Sequence, residues 1–211
     1  MSGHLVLVHG AGSGPWVFDD WDEPPGIHFV KADLHEGIDV ATASMSDYAS
    51  ALARACADLD PPLGLCGWSM GGLVTMMVAG VLDLGALVLL EPSPPAEVQG
   101  SRELALGPPG TFDPEEAYGT FPEGIPSRPE SSPARAQRKA GISVPDLPPC
   151  SLVVYGDEFE VERGKAIVSR YAIEGRHFPG VDHWGLISSP DVRRVVLDYV
   201  ARSFKSVGSN E

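Results

Sequence analysis

GLCGWSMGG, residues 64–72, sets Ser69 in a GxSxG pattern just after one short apolar run and just before another. A strand over Leu63–Cys66 that turns sharply through Gly67–Gly71 into a helix over Leu73–Leu82 would lift the serine Oγ to the top of a sheet. Such a turn demands glycine on either side, because the neighbouring backbone comes close and a Cβ beside the strained serine would clash. The pentapeptide alone is short enough to arise by chance in a chain with 24 glycines, so its flanks must carry the reading.

Those flanks alternate between strand and helix. His4–Val8 (HLVLV) is an apolar run ending in the glycine-rich loop HGAGSGP. Ile27–Lys31, Ala86–Leu90 (ALVLL), Ser151–Tyr155 (SLVVY) and the weaker Arg176–Phe178 bring the strands to six. Apolar residues at helical spacing mark 45–59, with Ser46 as the expected N-cap and Pro61–Pro62 as the stop. They mark 191–204 as well, begun by a cap after Pro190. Alternation of this kind implies right-handed βαβ units, hence an α/β fold with a mostly parallel sheet of about six strands and helices on both faces. The stretch 92–149 breaks the rhythm. It is rich in Pro, Gly and Ser, with helical periodicity only around Glu115–Tyr118 and Pro133–Ala140. It reads as a partly helical, mobile lid inserted into one domain spanning 1–211.

Composition narrows the function classes. Fifteen basic and 29 acidic residues give a net charge of −14, which argues against nucleic acid or an anionic membrane as partner and weighs against highly anionic substrates. No apolar run approaches the roughly 18 residues of a membrane span, and no signal-peptide pattern precedes the first strand, so a cytoplasmic protein is expected. Cys56, Cys66 and Cys150 are odd in number, widely spaced and set among apolar residues, which suits reduced core thiols. Without CxxC or a Cys/His cluster, no metal is expected.

Three motifs fall in order at the carboxyl ends of predicted strands, the edge where open parallel sheets build their sites. They are LVLVHGAGSGPWVFD near the start, GWSMGG in the middle and VDHWGLISSPDVRRVVLDYV near the end. With these the chain resembles the α/β-hydrolase family over nearly all its length except 92–149. The resemblance implies a small, esterase- or lipase-like serine hydrolase that needs no cofactor. Ser69 would be the nucleophile and His183 the general base. His4, His28, His35 and His177 have no comparable motif, and His9 would shape the HGAG loop. The amides of Ala11 and Met70 would form the oxyanion hole. Nucleotide binding by HGAGSG is disfavoured, because neither a Rossmann nor a P-loop spacing fits.

The acid departs from the family pattern. In most relatives it lies three residues beyond the glycine that ends the fifth strand, and in VVYGDEFEVE that position is Phe159. Asp157 or Glu160 could reach the histidine if the turn shifts. The family's second solution places the acid at the end of the preceding parallel strand, where Glu91 follows ALVLL. Glu91 is preferred over Asp157, since a carboxylate at an apolar strand end needs a partner, and both stay candidates. Gly10, Trp16 and Trp68 are expected around an apolar acyl pocket. The resulting expectation is cleavage of a carboxylic ester or thioester of a small, largely apolar substrate through an acyl-enzyme. The alternative is a non-catalytic hydrolase-like protein that binds a ligand or partner, an idea that Phe159 keeps open.

Overall fold

Runs such as HLVLV and ALVLL are apolar at successive positions because both faces of their strands are covered, the pattern of a parallel sheet packed between helix layers. The computed structural model describes residues 2–103 and 108–207. In chain order the elements are β1 (Gly3–Val8), β2 (Ile27–Ala32), α1 (Met45–Cys56), β3 (Leu63–Trp68), α2 (Met70–Val78) and β4 (Leu84–Leu90). Then come α3 (Ala96–Gln99), β5 (Thr111–Phe112), α4 (Pro114–Tyr118), β6 (Glu130–Ser131), α5 (Ser132–Ala140) and β7 (Ser151–Tyr155). The chain closes with α6 (Ala166–Tyr171), β8 (Glu174–His177), α7 (Gly185–Ser188) and α8 (Pro190–Val207). Six strands form a wholly parallel sheet in the order β2-β1-β3-β4-β7-β8, and β5 pairs antiparallel with β6.

Period-two alternation sorts the strand residues into two cores. Val6, Val8, Leu65, Leu87, Leu89 and Val153 pack with α1 and α2. Leu5, Leu7, Cys66, Val88, Leu90 and Val154 face the other way, toward Val192, Val196, Tyr199, Val200 and Phe204 of α8. Those α8 residues recur at helical spacing, so one stripe of the helix meets the sheet. The Phe204 ring lies over Gly3, Gly64 and Gly85 of three adjacent strands, where side chains would collide with it.

Some boundaries differ from the sequence expectation, each for a local reason. The N-cap of α1 is Ser44 rather than Ser46. Its Oγ accepts from the Asp47 N–H, while Asp47 accepts from the Ser44 N–H at 2.8 Å, a reciprocal capping box. α2 starts at Met70, three residues early, because the turn closes on Ser69 itself. The N-terminus of α8 is served by Ser189, before Pro190, whose Oγ accepts from the Val192 N–H. Within 92–149, of which 104–107 lie outside the described residues, α4 and α5 fall on the two stretches with helical periodicity, and α3 and the β5–β6 pair lie outside them. Among the described residues no helix is long and apolar enough to cross a membrane.

β1 passes closely under the start of α2. A Cβ on Gly71 would stand 2.3 Å from the carbonyl oxygen of His9 and 2.4 Å from that of Val8, both backbone atoms that cannot rotate away. Gly71→Ala should cost about 1–3 kcal/mol, as overpacking does. Gly80→Ala, where the new methyl meets open space, should leave stability nearly unchanged. Urea midpoints for the two variants check this, and equal midpoints would contradict it.

Candidate active site

Backbone strain marks the site before any side chain is considered. Among the described residues three non-glycines have positive φ: Ser69 (55°), Glu91 (40°) and Ala172 (53°). Ala172 is the left-handed residue that closes α6, an ordinary use of that conformation. The other two follow β3 and β4, neighbours in the sheet, and strain of this kind persists only where the surroundings enforce it. Ser69 is pinned by its N–H donating to Leu90 O (3.0 Å) and its carbonyl accepting from the Ser93 N–H (2.8 Å). It occupies the position from which a serine usually caps a helix, yet its side chain makes no cap bond to α2. Its hydroxyl is left to the cavity that Ser69 lines.

Glu91 and His183 meet across 92 residues of sequence. Glu91 is fully buried. Its Oε2 lies 2.6 Å from Nδ1 of His183, and its Oε1 accepts from the Gly156 N–H at 2.8 Å. A carboxylate only accepts, so Nδ1 carries the proton and Nε2 keeps its lone pair. Burial pulls the His183 pKa below its usual 6.5, with nearby Arg163 adding to the effect and Glu91 opposing it, so the ring is neutral at neutral pH. The histidine is braced on all sides. Its carbonyl accepts from Trp68 Nε1–H (3.1 Å), its N–H donates to Glu158 (3.1 Å), and the Phe159 ring meets the imidazole edge-on at 5.3 Å.

Asp157 is engaged elsewhere. Its Oδ1 pairs with Nε2 of His177 at 2.8 Å and its Oδ2 accepts from the Gly180 N–H, which leaves it on the surface and away from His183. Glu160 pairs with Lys165. Asp182, next to His183 in sequence, accepts from the N–H of Gly185, the first residue of α7.

The HGAG loop is held from behind. His9 is fully buried, with Nδ1–H donating to Gly10 O (2.8 Å) and Nε2 accepting from the Leu34 N–H (3.1 Å). Burial lowers its pKa as well. Arg128 grips Asp33 through both terminal nitrogens and Ser13 O through Nε. Glu130, fully buried, accepts from the Gly12 N–H, His35, the Tyr48 hydroxyl and the Ser131 N–H. Gly12 itself needs its φ of 72°, and a Cβ there would run into Pro114 at 2.3 Å. None of Arg128, Asp33 or Glu130 stands out in the sequence, because an acid and an arginine in a Pro-rich stretch look like solvated residues.

A cavity of about 360 Å³ joins these parts. Ala11, Ser69 and His183 line it beside Trp68, Phe121, Phe159 and Trp184. Trp184 packs on both Trp68 and Phe121 with centroids 4.7 Å apart. Met70, fully buried, begins α2, where the first backbone N–H groups have no partner within the helix. Two expected pocket residues are not in this wall. Trp16 sits behind the loop, stacked under Arg128 and donating Nε1–H to Pro126 O. Gly10 turns its carbonyl to His9 and Ser13, and its Cα lies too close to Trp68 for a side chain. Phe121, Tyr118, Arg138 and Arg163 also line the cavity, and no sequence motif marks them as site residues.

Residues 5–193 match the profile of the Alpha/beta hydrolase family, and the chain belongs to that family. Among solved structures, polyneuridine aldehyde esterase aligns with a TM-score of 0.71 at 19% identity, covering 94% of this chain and 99% of that one. A methylesterase from Arabidopsis gives 0.66 at 20% identity, covering 94% and 98%. Tomato methylketone synthase I, complexed with 2-tridecanone, gives 0.67 at 18%, covering 97% and 99%. These likenesses show a shared fold. No curated protein matches the chain at a significant level.

The Glu130 network makes a pH-dependent contribution to stability. Burial works to raise the Glu130 pKa, but the donors from His35, Tyr48 and Gly12 prevail and hold it at about 2, against 4.5 unperturbed. A depressed carboxyl stabilises the fold above pH 4.5, and that contribution, on the order of 3 kcal/mol, is lost as pH falls toward 2. Glu130→Gln should therefore be less stable at pH 7 and lose less between pH 5 and pH 2. Urea unfolding across that range checks it, and parallel declines in both proteins would contradict it.

Proposed function

We propose that the chain is a serine hydrolase that cleaves a carboxylic ester or thioester through an acyl-enzyme. One observation carries the reading: the 2.6 Å pairing of buried Glu91 with Nδ1 of His183, in a cavity that an uncapped, strained Ser69 also lines. In this scheme Nε2 of His183 takes the Ser69 proton as Oγ attacks the carbonyl carbon. Glu91 holds the tautomer and stabilises the imidazolium that forms. The N–H groups of Ala11 and Met70 receive the oxyanion, each such donor being worth about 10²–10³ in rate. His183 then protonates the leaving alcohol or thiol, and a water it activates releases the acid.

The aromatic wall of Trp68, Phe121 and Trp184 suits an apolar part of a small-molecule substrate, and a volume of about 360 Å³ lies at the small end of ligand sites. Two of the structural neighbours are named as esterases, which supports ester cleavage as the reaction. The scheme calls for no cofactor. Three unpaired cysteines fit a reducing, cytoplasmic setting. The rival reading, a non-catalytic binder, rested on Phe159 standing where an acid is usual. It is disfavoured because Phe159 packs against a histidine that Glu91 already holds.

Turnover of p-nitrophenyl acetate and butyrate tests the proposal. Ser69→Ala should abolish it. Glu91→Gln should lower kcat by about 10²–10⁴, the cost of losing the carboxylate that sets the tautomer. Asp157→Asn should stay within about twofold, as expected of a surface group outside the reacting set. The acid limb of kcat/KM should have its midpoint below pH 6.5, since the neutral imidazole is the active form and burial lowers its pKa. Removing the Glu91 charge takes away an influence that raises that pKa, so the limb should move lower still. A wild-type protein without turnover would favour the binder, and a larger loss from Asp157→Asn would reassign the acid.

A further inference from the structure

A second hollow, of about 170 Å³, adjoins the one at Ser69. The two share Ser93, Tyr118, Arg138 and Arg163, and Arg135 and Lys139 also line the second. Four cations thus converge there in a chain whose net charge is −14, and no carboxylate lines the second hollow.

Ordinary structural roles do not account for this cluster. Clustered cations are usually neutralised by carboxylates, yet among the described residues none of the four is in an ion pair. Neutral groups hold the three arginines instead. The Arg135 guanidinium stacks over Phe112 and Tyr118, at 4.7 and 5.3 Å from the ring centroids, and that of Arg163 over Phe159 at 3.7 Å. Arg138 donates to the Tyr118 hydroxyl at 3.0 Å and to Ser93 Oγ at 3.4 Å. The Nε atoms of Arg135 and Arg138 are buried without any hydrogen-bond partner. Burial pulls the Arg163 pKa down, Arg138 adds to that, and Glu91 and Glu158 oppose it from a distance. Glu158, on the wall of the larger cavity, is taken up by the His183 N–H.

Cations held in place by aromatic faces, with donor capacity unspent, are costly alone and favourable around an anion. Guanidinium groups match carboxylate and phosphate oxygens in planar, two-point fashion. We propose that this hollow binds a carboxylate or phosphate group carried by the substrate, so that the ester or thioester presented to Ser69 has an apolar part against Trp68 and Trp184 and a compact anion against Arg138 and Arg163. The word substrate rests on the hydrolase reading above, whereas the anion site rests on the arginines alone. The overall negative charge, which on its own disfavours anionic substrates, is a property of the whole surface, and the local field here has the opposite sign.

Binding to Ser69→Ala protein separates the two readings, because no turnover is needed. Calorimetry compares neutral dimethyl glutarate with monomethyl glutarate and methyl 3-phosphonopropionate, so the carboxylate and phosphate-like arms are read apart. At least one anion should bind about tenfold more tightly than the neutral diester, as charge-assisted pairing implies. That preference should fall to within about twofold on Arg138→Gln and weaken on Lys139→Gln, whose side chain is exposed and whose loss cannot unfold the protein. Equal affinities for all three probes, or a preference that survives in both variants, would overturn the proposal. Tight anion binding in a wild-type protein without esterase activity would uphold the site and remove the hydrolase reading.

Discussion

A buried carboxylate must be partnered, and the partners of Glu91 organise this molecule. It emerges from β4, a strand without a polar side chain, into a fully buried position. One oxygen accepts from the residue just after β7 and the other from the histidine in the loop after β8. Its own N–H donates to Val154 of β7. A single side chain therefore ties together the carboxyl ends of three adjacent strands. Losing it would leave the His183 loop without its anchor and the Gly156 amide without an acceptor.

The opposite side of Ser69 is secured by a separate polar network, and that network depends on the segment between β4 and β7. Residues 128–130 reach back from the segment between β4 and β7 to hold Ser13 and Gly12, while Arg128 also braces Asp33 beside His9. The same segment sends Tyr118, Phe121 and Arg138 to the front of the cavity. It thus fixes the backbone curl of the HGAG loop and shapes the space in which a ligand would lie. Segments that carry binding residues on a rigid scaffold commonly diverge in this way from the regular pattern of the elements they connect.

How much of this was legible in the sequence follows from the range of the interactions involved. The six strands and the helix after Ser69 were legible because apolar periodicity and glycine placement are local signals. Element ends were less so: Ser46 reads as the cap of α1, whereas the reciprocal bond with Asp47 makes Ser44 the cap. The choice between Glu91 and Asp157 depends on strand order, since β4, β7 and β8 lie side by side although far apart in the chain. Trp16 looked like a pocket residue from its nearness to the glycine loop, but the loop curls so that the indole faces Arg128. Arg138 and Arg163 gave no signal, because an arginine without a motif around it reads as solvated and the net charge averages their cluster away.

At the centre of the proposed function is the proposal that Glu91 acts through His183 to make Ser69 nucleophilic. Its most direct measurement is the rate at which a fluorophosphonate modifies the protein, with the modified peptide identified by mass spectrometry. The expected result is one adduct, on Ser69, formed at least about 10²-fold more slowly in Glu91→Gln and at the wild-type rate in Asp157→Asn. An adduct on another serine, or a rate indifferent to Glu91→Gln, would contradict it.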